Sequence, residues 1–283
     1  MNVRRPIAAV TLLGALVACN ADDPQVPREN YALIFTDARE LPGGGYVTLP
    51  VANFVNSQQL VFDFSTNPAD ACLEGAYDPT QEGSDLGQLT YLDPGDVTVA
   101  GGGAQRSLDL VVDAEDDSES WEITGGEGLP FTPGDTLTFT TTGATEGFPL
   151  FSIRARSAEA FTFTEPTVPA VGQPVLLNWT TTGVRPGSAM LVSLRYRTTT
   201  SGPLTRQIFC EMVDDGSFSV PAQFATFWRT SDSTATAMSR WRTEYKQVDD
   251  DSFAVVFSNF TVPVPSVDDE FRLMAAFNGL RTR

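Results

Sequence analysis

From residue 31 onward, apolar and polar residues alternate with a period of two in short stretches rich in Val, Thr, Phe and Leu, and clusters of Gly, Pro and Asp separate one stretch from the next. A two-residue period sends successive side chains to opposite faces of an extended strand, and the punctuation turns the chain back on itself. The pattern therefore specifies antiparallel β-structure. Met190, Val192, Leu194 and Tyr196 fall on one face, with Ser193, Arg195 and Arg197 on the other. Trp241, Thr243 and Tyr245 alternate in the same way with Arg240, Arg242 and Glu244, whose charges are expected in water. Further strands are expected at 31–36, 46–51, 60–64, 96–100, 108–113, 136–141, 150–154, 161–164, 175–180, 253–262 and 271–277. One short helix is expected, from Pro221 to Trp228, with the proline at its start.

The chain has 283 residues, enough for one large or two modest domains. Phe139-Thr140-Thr141-Thr142-Gly143 recurs as Trp179-Thr180-Thr181-Thr182-Gly183, and Phe151-Ser152-Ile153-Arg154 as Val192-Ser193-Leu194-Arg195. Either one strand-turn-strand unit is used twice, or two exposed strands converged on the Thr and Gly that tight turns favour. A proline-rich crossing, Glu165 to Gly172, lies between the two occurrences. The expected architecture is all-β, with two antiparallel β-sandwich domains, immunoglobulin-like or jelly-roll-like, in tandem at 31–165 and 166–283.

Charge and missing residue types narrow the chemistry. With 36 acidic against 18 basic residues the net charge is −18, which argues against a nucleic-acid partner. There is no histidine, so Ser-His and Cys-His nucleophiles and the commonest zinc ligand are absent. The acidic clusters at 113–117, 214–215, 249–251 and 268–270 lack the spacing of a calcium loop and read as turns. Asp215-Gly216-Ser217 has the wrong order for an aspartic protease, and no carboxylate pair stands out for glycoside hydrolysis. Gly101-Gly102-Gly103 precedes no helix and reads as a hairpin turn, as does Gly43 to Gly45. No catalytic residue, metal or cofactor site is nominated, and the chain is not expected to be an enzyme.

Arg4 and Arg5 followed by the apolar run Ile7 to Val17 form a secretory signal over residues 1–18, too short to span a bilayer. Leu16-Val17-Ala18-Cys19 resembles the lipobox of bacterial lipoproteins. The resemblance implies that Cys19 is acylated and becomes the first residue of the mature chain, anchored to a membrane rather than crossing it. Residues 19–30 then form a polar tether. Asn20 in place of aspartate favours the outer membrane over the inner.

In such an oxidising compartment Cys72 and Cys210 either pair as a disulfide, or Cys210 is a small buried hydrophobe and Cys72 stays unpaired. Trp121 and Trp228 sit in polar or turn-like surroundings and are the candidate exposed aromatics for stacking on sugar rings.

The stretches 92–102, 133–139 with Gly143, Leu177-Asn178-Trp179 and Ile208 to Pro221 resemble a pattern of secreted β-sandwich lipoproteins of myxobacteria and related bacteria. The resemblance covers about residues 90 to 225, and it implies a fold rather than an activity. The expected function is that of a lipid-anchored envelope protein acting as a structural, adhesive or protein-interaction module. The alternative is a carbohydrate-binding surface lipoprotein, with calcium as an optional aid.

Overall fold

A computed structural model describes residues 29–57, 70–76, 89–114, 117–181, 183, 187–199, 201–231 and 234–264. Up to residue 156 the strands are β1 (Glu29–Asp37), β2 (Arg39–Glu40), β3 (Tyr46–Thr48), β4 (Val51–Ser57), β5 (Ala71–Ala76), β6 (Thr90–Tyr91), β7 (Val97–Gly101), β8 (Ala104–Val112), β9 (Glu119–Glu122), β10 (Leu129–Phe131), β11 (Thr136–Thr141) and β12 (Ser152–Arg156). They are followed by β13 (Phe163–Thr164), β14 (Val175–Trp179), β15 (Ser188–Tyr196), β16 (Arg206–Met212), β17 (Ser217–Val220), helix α1 (Ala222–Thr230), β18 (Thr234–Gln247) and β19 (Ser252–Val262). The expected strands at 60–64 and 271–277 lie outside the described residues.

The protein is all-β. Its main sheet has the order β12-β11-β7-β8-β9-β4-β1-β19-β18-β15-β16-β5, with β6 paired to β4 beside this path. Two three-stranded sheets, β10-β3-β2 and β13-β14-β17, complete the described strands. Turn chemistry sets the local pairings. Gly102 and Gly103, with φ of 55° and 77°, make the two-residue turn between β7 and β8, and a Cβ on Gly102 would meet the Pro130 carbonyl oxygen at 2.2 Å.

Two findings depart from the sequence expectation. The first and last described strands pair in parallel, with Tyr31 beside Phe253, Leu33 beside Val255 and Phe35 beside Phe257. Both strands read as continuous apolar runs because both faces are covered, the condition parallel strands usually require. One sheet therefore runs through both expected units, across the boundary placed at 165/166. The repeat also diverges in use: β11 and β12 form an antiparallel pair, whereas β14 and β15 belong to different sheets. Gly143 and Gly183 nevertheless share a left-handed backbone, with φ of 73° and 96°.

The central strands carry apolar clusters on both faces. On one, Ala32, Ile34, Phe54, Val256 and Phe260 join the large core that reaches both small sheets. Within it Phe54 meets Trp121 and Phe148 edge to face, with ring centres 5.1 and 5.3 Å apart. On the other, Tyr31, Leu33, Phe35, Val55, Trp241, Val255 and Phe257 form a second cluster, with Phe35 stacked on Phe257 at 5.2 Å.

Candidate functional site

The turn joining β16 to β17 carries the chain from the main sheet to the small sheet β13-β14-β17. Val213-Asp214-Asp215-Gly216 makes it: the Asp215 amide donates to the Val213 carbonyl at 2.9 Å, the Ser217 amide donates to Asp215 Oδ1 at 3.2 Å, and Gly216 takes φ of 104°. The two aspartates have different fates. Asp215 closes the turn, while Asp214 points inward and is completely buried.

Asp214 is fully partnered there. Its Oδ1 accepts from Trp179 Nε1 at 2.9 Å and from Arg240 Nη2 at 3.0 Å. Its Oδ2 accepts from Arg240 Nε at 2.7 Å and from Ser188 Oγ at 3.3 Å. Arg240 is likewise buried, and its remaining donors reach the Thr180 carbonyl at 2.7 Å, the Glu159 carbonyl at 3.2 Å and the Ala160 carbonyl at 3.4 Å. All five guanidinium N–H groups thus have acceptors. The Phe161 ring lies 5.1 Å from its carbon centre, adding a cation–π contact. With every donor and acceptor satisfied, the attraction offsets the desolvation cost, and removing one partner would leave an unpaired charge in the core.

Two residues along β18, Arg242 donates Nε and Nη2 to Glu159 Oε2 at 2.9 and 2.6 Å, and Arg156 approaches the other oxygen at 3.4 Å. Burial pushes the Glu159 carboxyl up, but the Arg242 bonds and the two arginine charges outweigh it and hold the group below the usual glutamate range. Together the two arginines clamp the 157–162 crossing and the β16–β17 turn onto β18. The expectation that Arg240 and Arg242 face water is corrected: β18 runs between the two clusters, so Trp241 packs on one face and the arginines serve the core on the other.

Outside this clamp lies an open groove lined by Asp70, Leu176, Leu177, Asn178, Ser217, Phe218 and Ser219. Its walls come from the paired strands β14 and β17 and from Asp70 just before β5, whose Oδ1 accepts the Val213 amide at 3.0 Å. Leu176 is 63% exposed at its floor and gives the groove apolar surface. The groove thus offers extended backbone, hydroxyls and an apolar floor beside a rigidly held turn.

Cys72 and Cys210 are joined as a disulfide, directly opposite each other on β5 and β16. The two tryptophans expected on the surface are not there. Trp121 is 6% exposed and packs on Phe54, and Trp228 is 3% exposed on the inner side of α1 with Ala225. Each occupies an inward position of an element too short to show a long pattern, so polar neighbours on the opposite side masked its burial. Cys19 and the 268–270 cluster lie outside the described residues. Asp249 accepts the Asp251 amide at 3.1 Å and so closes a turn. Asp214, Arg240 and Glu159 were missed by sequence reasoning, because the alternation of β18 put Arg240 on the water side and nothing local separates Asp214 from Asp215.

No protein-family profile and no curated protein matches the sequence. Among solved structures, a DUF4785-family protein of Legionella pneumophila is similar over 74% of this chain, with 7% identity and a TM-score of 0.26. The match spans 52% of that protein, about half its length.

Proposed function

We propose that this is a lipid-anchored envelope protein whose β-rich body is a protein-interaction module. The lipobox-like Leu16-Val17-Ala18-Cys19 supports anchoring through Cys19, with residues 1–18 removed and 19–30 as tether, and Asn20 favours the outer membrane. The body divides most naturally into two sandwich lobes fused through the β1–β19 pair. In one, β13, β14 and β17 face β15, β16 and β18 across a core that includes Val175, Leu177, Met190 and Val192. In the other, β10 and its neighbours lie against β7 and β8.

The observation that carries the reading is the open groove floored by Leu176 and rimmed by a turn that Arg240 and Asp214 immobilise. A pre-set edge with exposed apolar surface suits an extended segment of another protein, because little is lost in ordering the receptor. The glycan-binding alternative depended on Trp121 and Trp228 standing exposed, and their burial removes that support.

The test is mild crosslinking on intact cells followed by recovery of the tagged protein. One partner protein at fixed stoichiometry, lost from a Leu176→Asp variant, is the expected result. Recovery of the protein alone, or with polysaccharide only, would overturn the interaction reading. Metabolic labelling with a fatty acid checks the anchor separately, with Cys19→Ser expected to abolish incorporation.

A further inference from the structure

Strand β5 stands far from its neighbours in sequence. It follows β4 and precedes β6, which pair with each other, yet it lies at the outer edge of the main sheet, six strands from β4. At about 4.8 Å per strand that separation is about 29 Å. Residues 58–70 and 77–89 join β5 to β4 and β6, thirteen on either side, and thirteen residues reach at most about 47 Å. Chain connectivity therefore permits the position without fixing it.

Packing holds β5 only lightly. Its burial alternates between exposed and half-buried, and none of its six residues is fully buried. What holds it is specific recognition by the edge it covers. The ladder pairs Ala71 to Ala76 with Glu211 to Arg206. Glu74 Oε1 accepts from Tyr196 Oη at 2.5 Å and from Arg206 Nη2 at 2.7 Å, and the Cys72–Cys210 bond adds one covalent link. Under it, β16 turns Ile208, Cys210 and Met212 wholly into the core and pairs along its other side with β15.

We propose that the β16 edge is a strand-acceptor site, selective for an extended segment whose carboxylate meets Arg206 and Tyr196, and that the Cys72–Cys210 disulfide locks the chain's own such segment, β5, into it. Unlocking is a two-electron reduction. A dithiol gives two electrons and two protons and is oxidised to its own disulfide, leaving Cys72 and Cys210 as thiols. β5 then leaves β16, whose unpaired N–H and C=O groups accept an added strand. This inference does not rest on the membrane anchor; it shares one residue with the groove that holds Leu176, because Asp70 in its lining directly precedes β5.

Hydrogen exchange on the full mature chain tests it, comparing the oxidised protein, the protein in dithiothreitol and a Cys72→Ser, Cys210→Ser double variant. We expect β5 amides to exchange about tenfold faster or more in the last two, while Leu194 and Val256 keep their protection. A synthetic peptide of residues 70–76 carrying Cys72→Ser then restores protection to the β16 edge amides. The same peptide with Glu74→Gln binds at least several-fold more weakly. Unchanged β5 exchange on reduction would show that the ladder alone holds the strand and would overturn the lock. Loss of protection at Leu194 and Val256 as well would show β5 to be integral to the fold and would equally overturn it. Equal binding of the two peptides would remove the carboxylate from the recognition.

Discussion

Arg240 on β18 and Asp214 in the β16–β17 turn meet side by side in the core, both without solvent contact, joined at 2.7 Å through Nε and at 3.0 Å through Nη2. The pair ties a turn between two sheets to the longest described strand. Removing one partner leaves an uncompensated buried charge, so Arg240→Met is expected to destabilise the protein by about 3–5 kcal/mol. Thermal unfolding of the variant checks this, and a loss under about 1 kcal/mol would show the pair to be solvated in solution. Arg240→Lys is expected to recover only part of the loss, because an ammonium cannot serve both aspartate oxygens and three carbonyls from one plane.

Acid is expected to weaken the same region through Glu159. Its carboxyl is held below the ordinary value of 4.5, so its contribution to stability is complete above that pH and is lost as pH falls through the lower folded value. Glu74, held low by Tyr196 and Arg206, acts in the same direction. Asp37 acts in the opposite one: burial raises it despite Arg39, so protonation favours the fold as pH falls through its raised value. Tm measured from pH 7 to pH 3 should decline below about pH 4.5, and Glu159→Gln should make that decline shallower. An identical slope in wild type and variant would contradict the assignment.

Trp121 belongs to the core, and its replacement should read as a packing loss. Trp121→Ala is expected to cost about 3–5 kcal/mol, with the edge-to-face contact to Phe54 lost. Denaturant unfolding checks the number, and an effect below about 1 kcal/mol would return this tryptophan to the surface.

Leu176 makes the complementary prediction. At its exposed position Leu176→Asp should change stability by no more than about 0.5 kcal/mol, while removing the apolar floor of the groove. Loss of a crosslinked partner together with unchanged Tm separates a contact residue from a structural one.

Gly102 supplies a check on the turns. Its left-handed backbone and the Pro130 carbonyl 2.2 Å from where a Cβ would sit make Gly102→Ala a double penalty, about 1–3 kcal/mol in total. Gly103, also left-handed but with open space around it, should tolerate alanine better.

Much of this was legible where the signal is local. The strand at 136–141, the hairpin at Gly102-Gly103, the short helix opened by Pro221 and the inward set Met190, Val192, Leu194 and Tyr196 follow from alternation and turn chemistry over a few residues. What failed required knowing which face of a strand meets which layer. Alternation separates Arg240 from Trp241 and buries the ring correctly, but it does not say that both faces of β18 are covered, so it leaves the arginines in water. Asp214 and Asp215 are adjacent and chemically identical, and only the distant Arg240, Trp179 and Ser188 decide that one is buried. The parallel β1–β19 pair joins residues more than two hundred positions apart, a relation no local pattern carries. The cysteines were open between two readings for the same reason, since β5 reaches β16 across the width of the sheet.

The β1–β19 pairing also has a consequence in time. Synthesis and any passage through a membrane deliver a chain from its amino end, so β1 waits for a partner that arrives after almost every other described strand. Until then its edge offers unpaired N–H and C=O groups, beside the apolar face of Tyr31, Leu33 and Phe35, to whatever strand is nearest. The sheet's middle is thus the last part to be completed, and the interval between the first strand and the last is when its unpaired edge is most open to wrong partners.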